Sequence, residues 1–81
     1  MGRFHVIPDE LAIAMRDFIS GRDRSMTLAN RIEVGLDAFG DEEPFAEAVI
    51  VLARYRPGGG PFLTSEDDVV AILTHVLAKT E

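Results

Sequence analysis

Phe45-Ala46-Glu47-Ala48-Val49-Ile50-Val51-Leu52-Ala53-Arg54-Tyr55 is apolar almost all round. Read at helical spacing, Phe45, Val49 and Leu52 share one face, with Ala48, Val51 and Tyr55 beside it. A helix that is apolar on every side belongs at the centre of a fold. The run Val49-Ile50-Val51 is β-prone, so a strand is the competing reading. Two features favour the helix. The preceding Asp41-Glu42-Glu43-Pro44 is a helix-start signature, and alanine is the strongest helix former. A central helix makes the whole chain all-α.

The flanking segments repeat the helical pattern. Upstream, Pro8-Asp9-Glu10 reads as a start, with proline at the first helical position and acids at the positive end of the helix dipole. Leu11, Met15, Phe18 and Ile19 follow on one face, and Gly21 is the expected stop. Asp23, Ser25 or Thr27 can cap a second helix, whose stripe is Leu28, Ile32, Leu36 and Phe39 and whose stop is Gly40. Gly35 in its middle weakens it by roughly 1 kcal/mol relative to alanine, a cost that close helix packing would explain.

Downstream, Arg56-Pro57-Gly58-Gly59-Gly60-Pro61 extends neither helix nor strand and is the one clear loop. Phe62-Leu63 is expected to re-enter the core. Thr64-Ser65-Glu66-Asp67-Asp68 then opens a last helix, with capping-box spacing between Ser65 and Asp68. Its buried stripe is Val69, Ile72, Leu73, Val76 and Leu77. With Thr64 as the cap, Leu63 and Val69 would form a hydrophobic staple. At the other end, Phe4 and Val6 alternate with Arg3 and His5, as in a short strand or an extended arm packed on helices. The expectation is one domain over residues 1–81: a compact all-α bundle of about four helices with a short extended N-terminal arm.

Composition narrows the function. Of 81 residues, 7 are Leu, 6 Ile, 7 Val and 5 Phe, well above the level of a disordered chain. There is no cysteine, which excludes disulfides, thiolate metal sites and thiol catalysis. The longest apolar run, Ala48 to Ala53, is far too short to cross a membrane. Arg3 is not followed by a long apolar stretch, so no secretory signal is expected and the expected location is the cytoplasm. The net charge is −6 and it is unevenly spread. Residues 1–32 carry +1 and residues 33–68 carry −7. Such a chain is no general nucleic-acid binder, and its field attracts a basic protein. Solubility alone is the plainer explanation. Mean hydropathy is +0.11 despite 27% charged residues, which points to apolar surface shared with a second copy or another protein.

No catalytic constellation emerges. His5 and His75 are the only histidines and neither has a companion at ligand spacing. Asp41-Glu42-Glu43 and Glu66-Asp67-Asp68 are carboxylate clusters of the kind that binds divalent cations, but each lies where a helix begins and capping accounts for both. No serine stands in a nucleophile-elbow motif, and the glycine loop lacks the Lys and Ser or Thr of a phosphate-binding loop. Ser25 lacks the acidic neighbour that an acyl carrier's attachment serine has. No enzyme, cofactor or metal is expected.

Interaction is the remaining theme. Arg54-Tyr55-Arg56-Pro57 combines residue types favoured at interfaces beside a glycine loop. The competing reading has Arg54 and Arg56 complementing a helix C-terminus while Tyr55 anchors in the core. With the acidic Asp41, Glu42 and Glu43, these are the candidate protein-interaction residues.

Two families offer partial likenesses. Arg3-Phe4-His5-Val6-Ile7, Pro8-Asp9-Glu10-Leu11 and Arg24-Ser25 resemble the strand, first helix start and inter-helix turn of ribbon-helix-helix DNA-binding proteins. That resemblance implies a dimeric repressor or antitoxin over residues 3–39, with Arg3 and His5 facing bases. The strand has only one strongly basic residue, and the Leu28/Ile32 stripe is out of phase with the family's. The four-helix layout, the negative charge and Tyr55-Arg56-Pro57 before the last helix look like nuclease-colicin immunity proteins at the level of architecture. Here the second helix carries only Glu33 and Asp37 against Arg31, and that family's paired tyrosines are missing. The expected function is therefore a small acidic protein-binding regulator, inhibitor or immunity-like protein, with the DNA-binding dimer as the alternative.

Overall fold

A computed structural model describes residues 7–57, 60–61 and 63–80. They form four helices: α1 (Asp9–Ser20), α2 (Met26–Asp37), α3 (Phe45–Ala53) and α4 (Glu66–Thr80). There is no strand among the described residues, so the central segment is a helix. Helix α2 packs on α1 and α3, and α4 packs on α3 and α1, closing a ring in which the diagonal pairs do not approach closely at the backbone. Each apolar stripe faces the middle. Met15, Phe18, Ile32, Leu36, Leu52, Leu73, Val69 and Val76 are wholly buried there.

The helix ends follow local chemistry. Pro8, expected at the first helical position, is instead the N-cap, one place before Asp9, and its carbonyl accepts from Leu11 and Ala12 N–H at 3.0 Å. Gly21 closes α1 in the left-handed conformation (φ 86°), as a glycine cap does. The Ser25 hydroxyl caps α2 by accepting from Leu28 N–H at 3.2 Å. Ser65 and Asp68 form the reciprocal capping box. Ser65 N–H donates to Asp68 Oδ2 at 3.3 Å, and Asp68 N–H donates to Ser65 Oγ at 3.2 Å. Gly35 is a point of close approach, since a Cβ there would stand 2.8 Å from Leu11 Cδ1.

Four expectations need correction. Helix α2 ends at Asp37, so Phe39 lies beyond it, in a turn, where it stacks on Phe45 at 4.5 Å. Helix α3 ends at Ala53, not Tyr55. Leu63 does not re-enter the core and is 40% exposed. Thr64 turns inward instead, pinned beside Tyr55 in a two-residue parallel bridge through its N–H to Arg54 carbonyl hydrogen bond (3.0 Å). Neighbouring residues of an extended backbone face opposite ways, so burying Thr64 turns Leu63 out. The helix cap is Ser65 rather than Thr64, which removes the basis for a Leu63–Val69 staple. Of the short strand expected at residues 3–7, only Ile7 is described, and it lies in no strand; residues 3–6 and the placement of Phe62 lie outside the described residues.

Candidate functional site

Tyr55 sits just past α3 and is wholly buried. Its ring meets Phe18 edge-on, with centroids 5.2 Å apart, and its hydroxyl donates to the Arg24 carbonyl at 2.7 Å. Burial and the nearby Glu66 charge raise its pKa above the ordinary phenol value. The tyrosine is thus unavailable to a partner, and of Arg54-Tyr55-Arg56 only the two arginines are exposed. Arg56 Nη1 donates back to the Tyr55 carbonyl at 2.7 Å, so it is partly committed to closing the helix end.

Arg24, in the turn between α1 and α2, makes three side-chain hydrogen bonds. Nε donates to the Phe18 carbonyl (3.0 Å) and Nη2 to the Ile19 carbonyl (3.1 Å). Nη1 donates to Glu66 Oε1 (3.1 Å). One guanidinium therefore gives the Ile19 carbonyl its donor, adds a second donor to the Phe18 carbonyl, which already accepts from Gly21 N–H at 3.1 Å, and ties both to the first turn of α4. Nothing local in the sequence signals a contact spanning 42 positions. In the same turn, Ser25 N–H donates to Asp23 Oδ1 at 2.9 Å and holds that carboxyl below the usual carboxylate range.

Asp41, Glu42 and Glu43 are all exposed, on a turn whose base is sunk into the core by buried Pro44 and Phe45. Glu43 Oε1 accepts from Glu47 N–H at 3.1 Å, as the capping explanation requires. The second acidic segment splits its roles. Glu66 pairs with Arg24 and Asp68 caps its own helix, as given above. No group of three or more His, Asp or Glu residues is arranged to hold a metal ion among the described residues.

Helices α3 and α4 leave a groove between them. Its lining combines exposed Glu47, Asp68 and His75 with half-buried Val51 and buried Ile72 and Thr64, around a volume of about 470 Å³. A second hollow of about 280 Å³ shares Glu47 and His75 and runs on to Glu43, Pro44 and Lys79. The sequence carried this signal unread. Asp68, Ile72 and His75 are spaced i, i+4, i+7 on α4, and Glu47 and Val51 are spaced i, i+4 on α3, so each set shares a helix face. Arg3 and His5, the candidate DNA contacts, lie outside the described residues.

No family model, curated protein or solved structure matches the chain. Among the described residues, no helix is long and apolar enough to cross a membrane.

Proposed function

We propose that this chain is a non-enzymatic regulator, of the inhibitor, adaptor or immunity-like kind, that binds a basic protein through its acidic middle segment. The observation that carries this reading is the anchored acidic turn. Asp41, Glu42 and Glu43 project from a base held by the Phe39–Phe45 stack and buried Pro44. Charges on a fixed base lose less freedom on binding than charges on a mobile loop, and they steer a basic partner toward the surface.

The test is capture of host proteins on the immobilised full chain at low salt, compared with a variant carrying Asp41→Asn, Glu42→Gln and Glu43→Gln. A basic protein retained by the native chain, released by moderate salt and held at least roughly tenfold less well by the variant fits the proposal. Retention that ignores both salt and the substitutions overturns it.

The ribbon-helix-helix alternative draws on α1 and α2 falling where that resemblance puts its two helices. Weighing against it, α3 and α4 of the same chain cover the apolar faces of α1 and α2. It requires a dimer by light scattering and DNA retention that Arg3→Ala abolishes. A monomer ends it.

A further inference from the structure

We propose that the α3–α4 groove is a docking cleft for a single arginine side chain of a basic protein partner, an inference that rests on the reading above and gives it a location. Three observations converge. The groove's lining combines apolar Val51 and Ile72 with two carboxylates, Glu47 and Asp68. An arginine side chain needs that combination: its aliphatic stem lies on apolar surface while its planar head reaches acceptors. Next, none of the ion pairs among the described residues involves Glu47 or Asp68. Asp68 uses Oδ2 for its capping box, which leaves its other oxygen as an acceptor.

The third observation is Thr64. It is only 8% exposed, yet its hydroxyl makes no hydrogen bond to any described residue, its N–H alone being bonded. No fully enclosed side-chain polar atom lacks a partner among the described residues, so this hydroxyl keeps a small solvent-exposed surface, on a residue that lines the groove. A guanidinium supplies five N–H donors in a plane and can serve the Thr64 oxygen and a carboxylate together. An ammonium is a more strongly hydrated point charge, so arginine is the better occupant. The adjoining hollow continues the trough with Glu43 but ends at Lys79, which repels a second cation there. His75 lines both hollows. The cleft therefore takes one basic side chain rather than a run of them.

The experiment is an NMR titration of the ¹⁵N-labelled full chain with a short Gly/Ser peptide carrying arginine, its lysine counterpart and its glutamate counterpart. The expected result is saturable amide shifts centred on Val51, Thr64, Ile72 and His75, tighter for arginine than for lysine and absent for glutamate. Glu47→Gln and Thr64→Val should each weaken the arginine peptide by about fivefold, the upper range of one exposed ion pair. Asp37→Asn, which removes the same charge on α2 outside the groove, should leave affinity within about twofold. Amide spectra that keep their dispersion show that each variant is folded.

Shifts scattered over the acidic surface, or equal weakening by Asp37→Asn and Glu47→Gln, overturn the groove. So does the absence of saturable shifts. If the host-protein capture still succeeds in that case, the acidic-binder reading survives and only its location is wrong. Failure of both experiments removes both.

Discussion

The Tyr55 hydroxyl lies 2.7 Å from the carbonyl oxygen of Arg24 and donates to it, joining the end of α3 to the turn between α1 and α2. The ring that carries that hydroxyl is wholly buried, so the donor side of the bond is shielded from solvent. Tyr55→Phe keeps the ring and its contact with Phe18 but leaves the acceptor unpaired. The expected cost is about 1–2 kcal/mol, that of a buried acceptor left without a partner. Urea unfolding would show it as a lower midpoint with an unchanged slope. A midpoint equal to the native chain's would mean that the carbonyl finds another donor.

The same phenol makes stability depend on alkaline pH. Its pKa is raised above the ordinary value of 10.0, first by burial and then by the Glu66 charge, with Arg24 acting the other way. Above that ordinary value the unfolded chain loses the phenolic proton while the folded chain keeps it. Fewer protons are then bound in the unfolded state, so stability falls as pH rises. The contribution is complete below about pH 10 and is lost as pH rises through the folded-state value. Stability measured across that range should fall more steeply for the native chain than for Tyr55→Phe. Parallel curves would show that Tyr55 ionises equally in both states.

Helix-level structure was legible because it is written in local spacing. The stripe Val69, Ile72, Leu73, Val76, Leu77 is buried as read, and the Ser65–Asp68 capping box closes as its spacing implies. What was illegible depends on partners distant in sequence. Core anchoring of Tyr55 is one of two readings of Arg54-Tyr55-Arg56, and it is the one the fold adopts; its partners, Phe18 and the Arg24 carbonyl, were not legible. Leu63 looks apolar enough to bury, but the bridge between Tyr55 and Thr64 turns it out. The groove combines Glu47 with Asp68 and His75, which no single window of sequence contains.

Arg24 tests whether an arginine–lysine exchange is conservative here. Its three donors point at three acceptors on two helices: the carbonyls of Phe18 and Ile19 and the Glu66 carboxylate. Lysine has one nitrogen and cannot span them. Arg24→Lys should therefore lose nearly as much stability as Arg24→Ala, about 2 kcal/mol in each case. Glu66→Gln should lose less than about 1 kcal/mol, because that pair is partly solvated and ion pairs near the surface are weak. Thermal unfolding of the three variants orders them. Lysine restoring most of the native stability would place the value of this site in its charge rather than its geometry.

Gly35 and Leu11 offer a test of the packing itself. A Cβ at position 35 would meet Leu11 Cδ1 at 2.8 Å and Cδ2 at 3.1 Å, and Leu11 borders a small hollow shared with Pro8 and Arg31. In the native background, Gly35→Ala gains about 1 kcal/mol of helix propensity and displaces Leu11 at a cost of about 0.5–1.5 kcal/mol. The two nearly cancel, so the net change should stay within about 1 kcal/mol. Leu11→Ala alone should cost about 2–3 kcal/mol as a buried truncation. In that background the obstruction is gone, and Gly35→Ala should stabilise by about 1 kcal/mol. The double-mutant cycle thus predicts a favourable coupling, as expected for residues in contact. Additive effects would mean that the glycine is not there to admit Leu11.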